Sequence, residues 1–202
     1  MLFHYHYWTP YLEETEKFYE KQGFKVYQRI GKYQGEFHSF DPPLDWNDFR
    51  NKEILFRIIE MKKGLVNITF GMGKRVKFDH IGFLVSKGEH DQVCKKAEAL
   101  NWEVKINERR TFITTPYGFL VELQTHKDVV DLKRLASIKR LKIMTKRKGL
   151  EDDLITLFGT PLGSIASSVG EKMGLEEVVI EGLFDSKAID PNGVTLLKEE
   201  GI

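Results

Sequence analysis

One succession of patterns occurs twice in this chain, and a repeated unit constrains the architecture more than any single segment does. Residues 3–9, FHYHYWT, alternate and are rich in aromatic side chains, which reads as a strand. In residues 11–24, Leu12, Thr15, Phe18 and Tyr19 recur at helical spacing, and Gly23 suits a helix end. FKVYQRI (24–30), ILFRIIEM (54–61) and LVNITFG (65–71) then read as three strands. The succession starts again at 78. FDHIGFLV is a strand, and 89–101 is a helix with Val93, Cys94, Ala97 and Leu100 on one face. WEVKI, RTFITT and FLVELQT follow as strands, with turns at Glu108-Arg109 and Pro116-Tyr117-Gly118. The second copy is shorter because nothing in it matches residues 31–52.

A weaker third copy follows. IKRLKIMT (138–145) reads as its first strand, LEDDLITLFG (150–159) as its helix, and LEEVVIEG and GVTLLKE as later strands. DPNGVTLLK (190–198) repeats the turn-then-strand pattern of TPYGFLVEL (115–123). That alignment sets Pro191 on Pro116, Gly193 on Gly118 and Leu197 on Glu122, and the first strand sets Arg140 on His80. Residues 1–126 are therefore expected to be two tandem βαβββ modules. Residues 127–202 are expected to be a degenerate third module or a C-terminal extension.

Strand side chains alternate between faces, so His4, His6 and Trp8 share one face and Tyr5 and Tyr7 the other. His80 shares a face with Gly82 and Leu84, and Glu122 with Leu120, Gln124 and His126. Two imidazoles and a carboxylate suit a divalent first-row metal with open positions, or zinc with a bound water. Each residue alone also has a plainer reading: a hydrogen-bonded structural histidine for His80, a rim charge for Glu122, a frayed terminus for His4. His6 reads as a ligand, as an orienting neighbour or as a general base.

The chain has 202 residues, 41% of them hydrophobic and 30% charged, enough for a sizeable core. A net charge of +1 singles out no partner. The single cysteine, Cys94, excludes an intrachain disulfide and a multi-cysteine metal site. No apolar run approaches the ~18 residues of a membrane span. The opening MLFHYHYW lacks a basic, signal-like start, so a cytoplasmic setting is expected and a membrane partner is not. Lys133 to Lys148 holds eight basic residues and no acid. With no interleaved aromatic, it reads as a solvated face rather than a nucleic-acid surface.

Three stretches together resemble the vicinal oxygen chelate superfamily, which includes glyoxalases, extradiol dioxygenases and bleomycin-resistance proteins. They are HYHYWTPYLEETEKFY from His4, DHIGFLV from Asp79, and TPYGFLVEL from Thr115. The Phe18-Tyr19 pair selects His4 as the family's strand histidine. The resemblance implies an α+β fold in which paired βαβββ modules form a curved, half-open, barrel-like mixed sheet with helices outside. It implies a divalent metal (Fe, Zn, Mn or Ni) held by His4, His80 and Glu122. It also implies either metal-dependent chemistry on a small, oxygen-rich, chelating substrate or metal-free sequestration of a small molecule. Many glyoxalases add a Glu on the last strand of the first module, and here that position falls on Asn67 or Ile68. His6 is then the first candidate for proton transfer. Trp8, Gln124, His38 and Trp46 are candidates for substrate contact. The last two lie in the 31–52 segment, read either as a binding lid or as a surface insertion with its own apolar cluster. An unpaired third module exposes apolar strand surface, so a homodimer is expected unless that segment packs back on the first two modules.

Overall fold

Every strand expected in residues 1–126 forms, with ends shifted by one to three residues, in a computed structural model that describes residues 1–132 and 136–199. The first module runs β1 (Leu2–Thr9), α1 (Leu12–Lys21), β2 (Lys25–Tyr33), β3 (Glu36–Ser39), α2 (Trp46–Phe49), β4 (Leu55–Lys63) and β5 (Val66–Met72). The second runs β6 (Lys77–Leu84), α3 (Lys87–Ala99), β7 (Val104–Ile106), β8 (Arg110–Thr114) and β9 (Leu120–Gln124). In each module the last strand lies parallel to the first, a pairing that requires a crossover. The two first strands, β1 and β6, pair antiparallel and join the modules into one nine-stranded sheet, ordered β3-β2-β4-β5-β1-β6-β9-β8-β7.

The helices follow from local chemistry. α3 begins at a capping box in which Ser86 accepts from the Glu89 amide and Glu89 reaches back to the Ser86 amide. α1 buries Leu12, Thr15 and Tyr19, and also Glu16. Glu16 is buried because Arg29 of β2 meets it with a two-pronged bond, Nη2 to Oε1 at 2.7 Å and Nε to Oε2 at 2.8 Å. The same guanidinium donates to the carbonyls of Phe40 and Leu44. This ties the 31–52 segment down on its own module, where Phe40, Trp46, Phe49 and Phe56 form an aromatic cluster. β3 extends the sheet as an exposed edge strand.

The C-terminal part is a five-stranded sheet ordered β11-β10-β12-β14-β13. Its elements are β10 (Ser137–Thr145), α4 (Leu150–Phe158), β11 (Ile165–Val169), β12 (Gly174–Glu181), β13 (Lys187–Ile189) and β14 (Thr195–Lys198). β10 is parallel to β11 and β12 to β14, while β10 and β12 pair antiparallel. The arrangement is two abbreviated units, a strand–helix–strand and a helixless strand triplet. β11 and β13 are not legible in the sequence because IASSV and KAI are short and carry little apolar alternation. The β10–β12 ladder repeats the β1–β6 ladder, including both irregularities: Leu2/His4 and His6/Tyr7 in one, Ile138/Arg140 and Lys142/Ile143 in the other. Each ladder is symmetric about its centre, so Arg140 and Glu177 both stand in the position that His4 and His80 hold, in keeping with the sequence alignment of Arg140 with His80. Leu197 does stand in the place of Glu122, since Val179 pairs with Leu197 as Gly82 pairs with Glu122.

The two sheets share one core. Tyr5, Tyr7, Ile81 and Phe83 are buried on the back of the large sheet, and Ile138, Leu141, Ile143, Val178 and Ile180 belong to the same cluster. Tyr19 Oη donates to Asp190 Oδ2 at 2.9 Å, Tyr117 Oη donates to Asp153 at 2.7 Å, and the Phe83 and Phe158 rings lie 4.6 Å apart. The C-terminal sheet thus packs back on the first two modules, and the apolar face on which self-association was expected is buried within the chain. Its outer face carries ion pairs: Lys139–Glu181, Arg140–Glu177 and Lys142–Glu176. Lys133 and Arg134 of the basic run lie outside the described residues. Among the described residues no helix is long and apolar enough to cross a membrane.

Candidate metal centre

His4, His80 and Glu122 come from β1, β6 and β9, three adjacent strands at the middle of the large sheet. Gly82 is the hinge of this convergence, because it lies opposite His4 on one side and opposite Glu122 on the other. A Cβ at Gly82 would sit 2.8 Å from His4 Cβ, so the glycine is what lets His4 lie close against β6. One ligand atom from each of the three side chains falls within 4.8 Å of the others. His4 Nε2 is 3.0 Å from His80 Nε2, and Glu122 Oε2 is 3.7 Å from the His4 nitrogen and 3.1 Å from the His80 nitrogen. All three residues are buried.

The outer partners decide which ring nitrogens carry protons. His4 Nδ1 lies 3.0 Å from the main-chain oxygen of Asn67, which can only accept, so Nδ1 donates. His80 Nδ1 lies 3.0 Å from Asp79 Oδ2, and it donates likewise. In the neutral rings both Nε2 atoms then present lone pairs to each other. Glu122 Oε2 is buried and aligned with no hydrogen-bond donor. Two imidazoles steadied from behind and a carboxylate this close together could hold a divalent cation. The protonation tendencies differ between the two rings. Burial pushes His4 down to about 4. Burial also opposes charge on His80, but Asp79 and Glu122 beside it outweigh that and raise it, which favours a proton on Nε2 facing Glu122 unless an ion takes that place. Burial alone would raise Glu122, and the two histidines hold it below the usual carboxylate range.

The fourth-ligand position is settled by register. Gly82 pairs with Glu122, and its counterpart in the first module, His6, pairs with Thr69. The residue in that position is therefore Thr69, not Asn67 or Ile68. Thr69 Oγ1 lies 3.4 Å from His4 Nε2 and 2.6 Å from His6 Nδ1. Asn67 is turned to other work: its amide donates to Glu60 and to the Val129 carbonyl.

His6 stacks nearly parallel on His80, with centroids 4.9 Å apart, and its buried Nε2 has no partner among the described residues. Trp8 stands edge-on to His6 and donates from Nε1 to Asp79 at 3.0 Å, joining Trp8, Asp79 and His80 in one chain. His6, Trp8 and His80 line a cavity of about 520 Å³ together with Arg57, Arg110 and Phe112. Gln124, with His4 and Glu122, lines a separate hollow of about 60 Å³. His38 and Trp46 lie elsewhere. His38 is exposed on edge strand β3, and Trp46 packs on Phe49 and Phe56 with its Nε1 donating to Glu16. Sequence reasoning missed Thr69, Arg57, Arg110 and Phe112. Phe112 pairs directly with Glu122 and so shares its face, a signal available only once β8 is known to neighbour β9.

No protein-family model matches the chain, and comparison with curated proteins gives no match. Solved structures do match it. BphC, a halotolerant catechol dioxygenase, superposes with a TM-score of 0.64 at 11% identity, over 98% of this chain and 85% of its own. The 2,3-dioxygenase LapB from Pseudomonas sp. KL28 gives 0.62 at 12%, over 98% and 90%. A hypothetical protein from Staphylococcus aureus gives 0.61 at 11%, over 98% of both chains. At such identities the likeness is one of fold: this chain has the mixed α+β fold of these dioxygenases, with two many-stranded sheets not closed into a barrel.

Proposed function

We propose that the protein is a metal-dependent, dioxygenase-like enzyme acting on a small, oxygen-rich substrate that chelates a divalent metal. The observation that carries this reading is the convergence of two imidazole Nε2 atoms and a buried carboxylate oxygen beside a cavity large enough for a small ring compound. His4, His80 and Glu122 would hold the metal. Once bound, a metal in such a site supplies Lewis-acid activation and a template for chelation.

The chain's own residues do the rest. Asp79 and the Asn67 carbonyl keep the ligand rings in the required tautomer, as second partners of ligating histidines do. Thr69 anchors His6 through Nδ1, and in the tautomer that donates from Nδ1 to Thr69 Oγ1 the Nε2 atom is an acceptor beside the cavity, placed to take a substrate proton and return it. Trp8 and Phe112 give apolar walls that exclude water from the reacting atoms.

Metal analysis of protein purified without chelators tests this reading. Roughly one divalent metal per chain is expected, as a structural donor set of this kind demands, with loss in His80→Ala and Glu122→Gln. Protein that carries none, and gains none on dialysis against Fe, Zn, Mn or Ni, overturns it.

A further inference from the structure

The cavity beside the triad carries cationic groups that make no hydrogen bond to the triad, although Arg110 acts through space on Glu122. Arg57 lies with its guanidinium carbon 4.3 Å above the Trp8 ring, and Arg110 lines both this cavity and the smaller hollow beside Glu122. Among the described residues neither guanidinium has a hydrogen-bond or ion-pair acceptor. Their neighbour Arg109 differs, because Asp128 takes its Nη2 at 2.6 Å. Two carboxylates also line the cavity. Asp79 is committed to Trp8 and His80, and Glu108 sits at the exposed turn before β8. The free charge at the opening is therefore positive, and it is presented by planar, multi-donor groups. Such groups select planar oxyanions that accept two parallel bonds. The surfaces beside them are flat: Trp8 is edge-on to His6, and Phe112 is edge-on to His80 at 5.2 Å.

Resting on the function proposed above, we propose that the substrate carries a carboxylate set apart from its chelating oxygens. Arg57 and Arg110 bind that carboxylate, and an aromatic body lies against Trp8 and Phe112. The two arginines are specificity-determining residues, since they recognise the end of the substrate that does not react. Trp8 is shared between the two tasks: its ring supports Arg57 and its Nε1 steadies Asp79 behind His80.

Calorimetric titration with three probes tests this: catechol, 3,4-dihydroxybenzoate and benzoate. On metal-loaded protein, 3,4-dihydroxybenzoate is expected to bind about tenfold or more tightly than catechol, the scale of charge-assisted bonds. The gap is expected to close in Arg57→Gln and Arg110→Gln and to survive in part in Arg110→Lys, with circular dichroism confirming that each variant folds. Benzoate needs no metal. On chelator-treated protein it is expected to bind weakly, more weakly still in Arg110→Gln and at higher salt. Equal affinity for catechol and its carboxylated analogue, or a gap that survives both Gln substitutions, overturns the inference while leaving the metal reading intact. Arginine-dependent benzoate binding by a chain that takes up no metal sustains the carboxylate site and overturns the metal reading.

Discussion

The middle of each sheet is built from the same ladder, and the two ladders carry opposite chemistry. In the large sheet His4 faces Gly82 and His6 faces His80; in the small one Arg140 faces Val179 and Lys142 faces Glu177. His4 and Glu122 are each 3% exposed, whereas the Arg140 and Glu177 side chains are 52% and 26% exposed. Enclosure makes the difference. β4 and β2 on one side and β8 on the other flank the large sheet's central face. The abbreviated units leave the small sheet only β11 on one side and β14 and β13 on the other. On an open face water solvates an ion pair and little is required of its geometry. On an enclosed face every buried polar group needs a partner, and the three side chains there are close enough to share one.

The comparison breaks most readily at a buried charge. Arg29→Ala would leave Glu16 ionised and unpaired in the interior and release the Phe40 and Leu44 carbonyls. A loss of roughly 3–5 kcal/mol is expected in urea unfolding. A loss within that of a surface pair would show that the enclosed side is no more demanding than the open one. A second change exchanges the two ladders' chemistry at one position. Gly82→Val installs the residue of the small sheet, and its Cβ meets His4. Metal affinity is expected to fall about 10–100-fold, the scale for displacing support from a ligand, as measured by competition with a chromogenic chelator. Unchanged affinity would mean that His4 is not held by that close approach. The smallest effect belongs to the open ladder. Arg140→Ala is expected to cost less than about 1 kcal/mol and to leave metal content untouched. A melting-temperature loss above about 4 °C would show that this pair does more than decorate a surface.

Much of this arrangement is legible in the residues themselves. The alternation of β1 places His4, His6 and Trp8 together, and they do line neighbouring parts of one site. The DPNG and TPYG turns mark equivalent strands, and both glycines have positive φ, 87° and 94°, a conformation suited to glycine. The 31–52 segment was less legible. Its aromatic residues are equally consistent with a lid and with a private cluster, and the decision fell to Arg29, a residue outside the segment that binds two of its carbonyls.

The sequence by itself determined the repeated βαβββ order and the face on which each strand residue lies, while the choice of His4, His80 and Glu122 as a donor set came from its resemblance to a known family. The order and the faces are consequences of short-range periods and of residue chemistry. The tertiary structure alone decided which residues stand opposite one another. Thr69 rather than Asn67 faces His6, and Arg57 and Arg110 line one cavity though they lie on different modules. The reason is register. A strand's period of two is local, but its pairing partner is chosen across long stretches of chain and shifted by bulges, so a single extra residue moves every later contact.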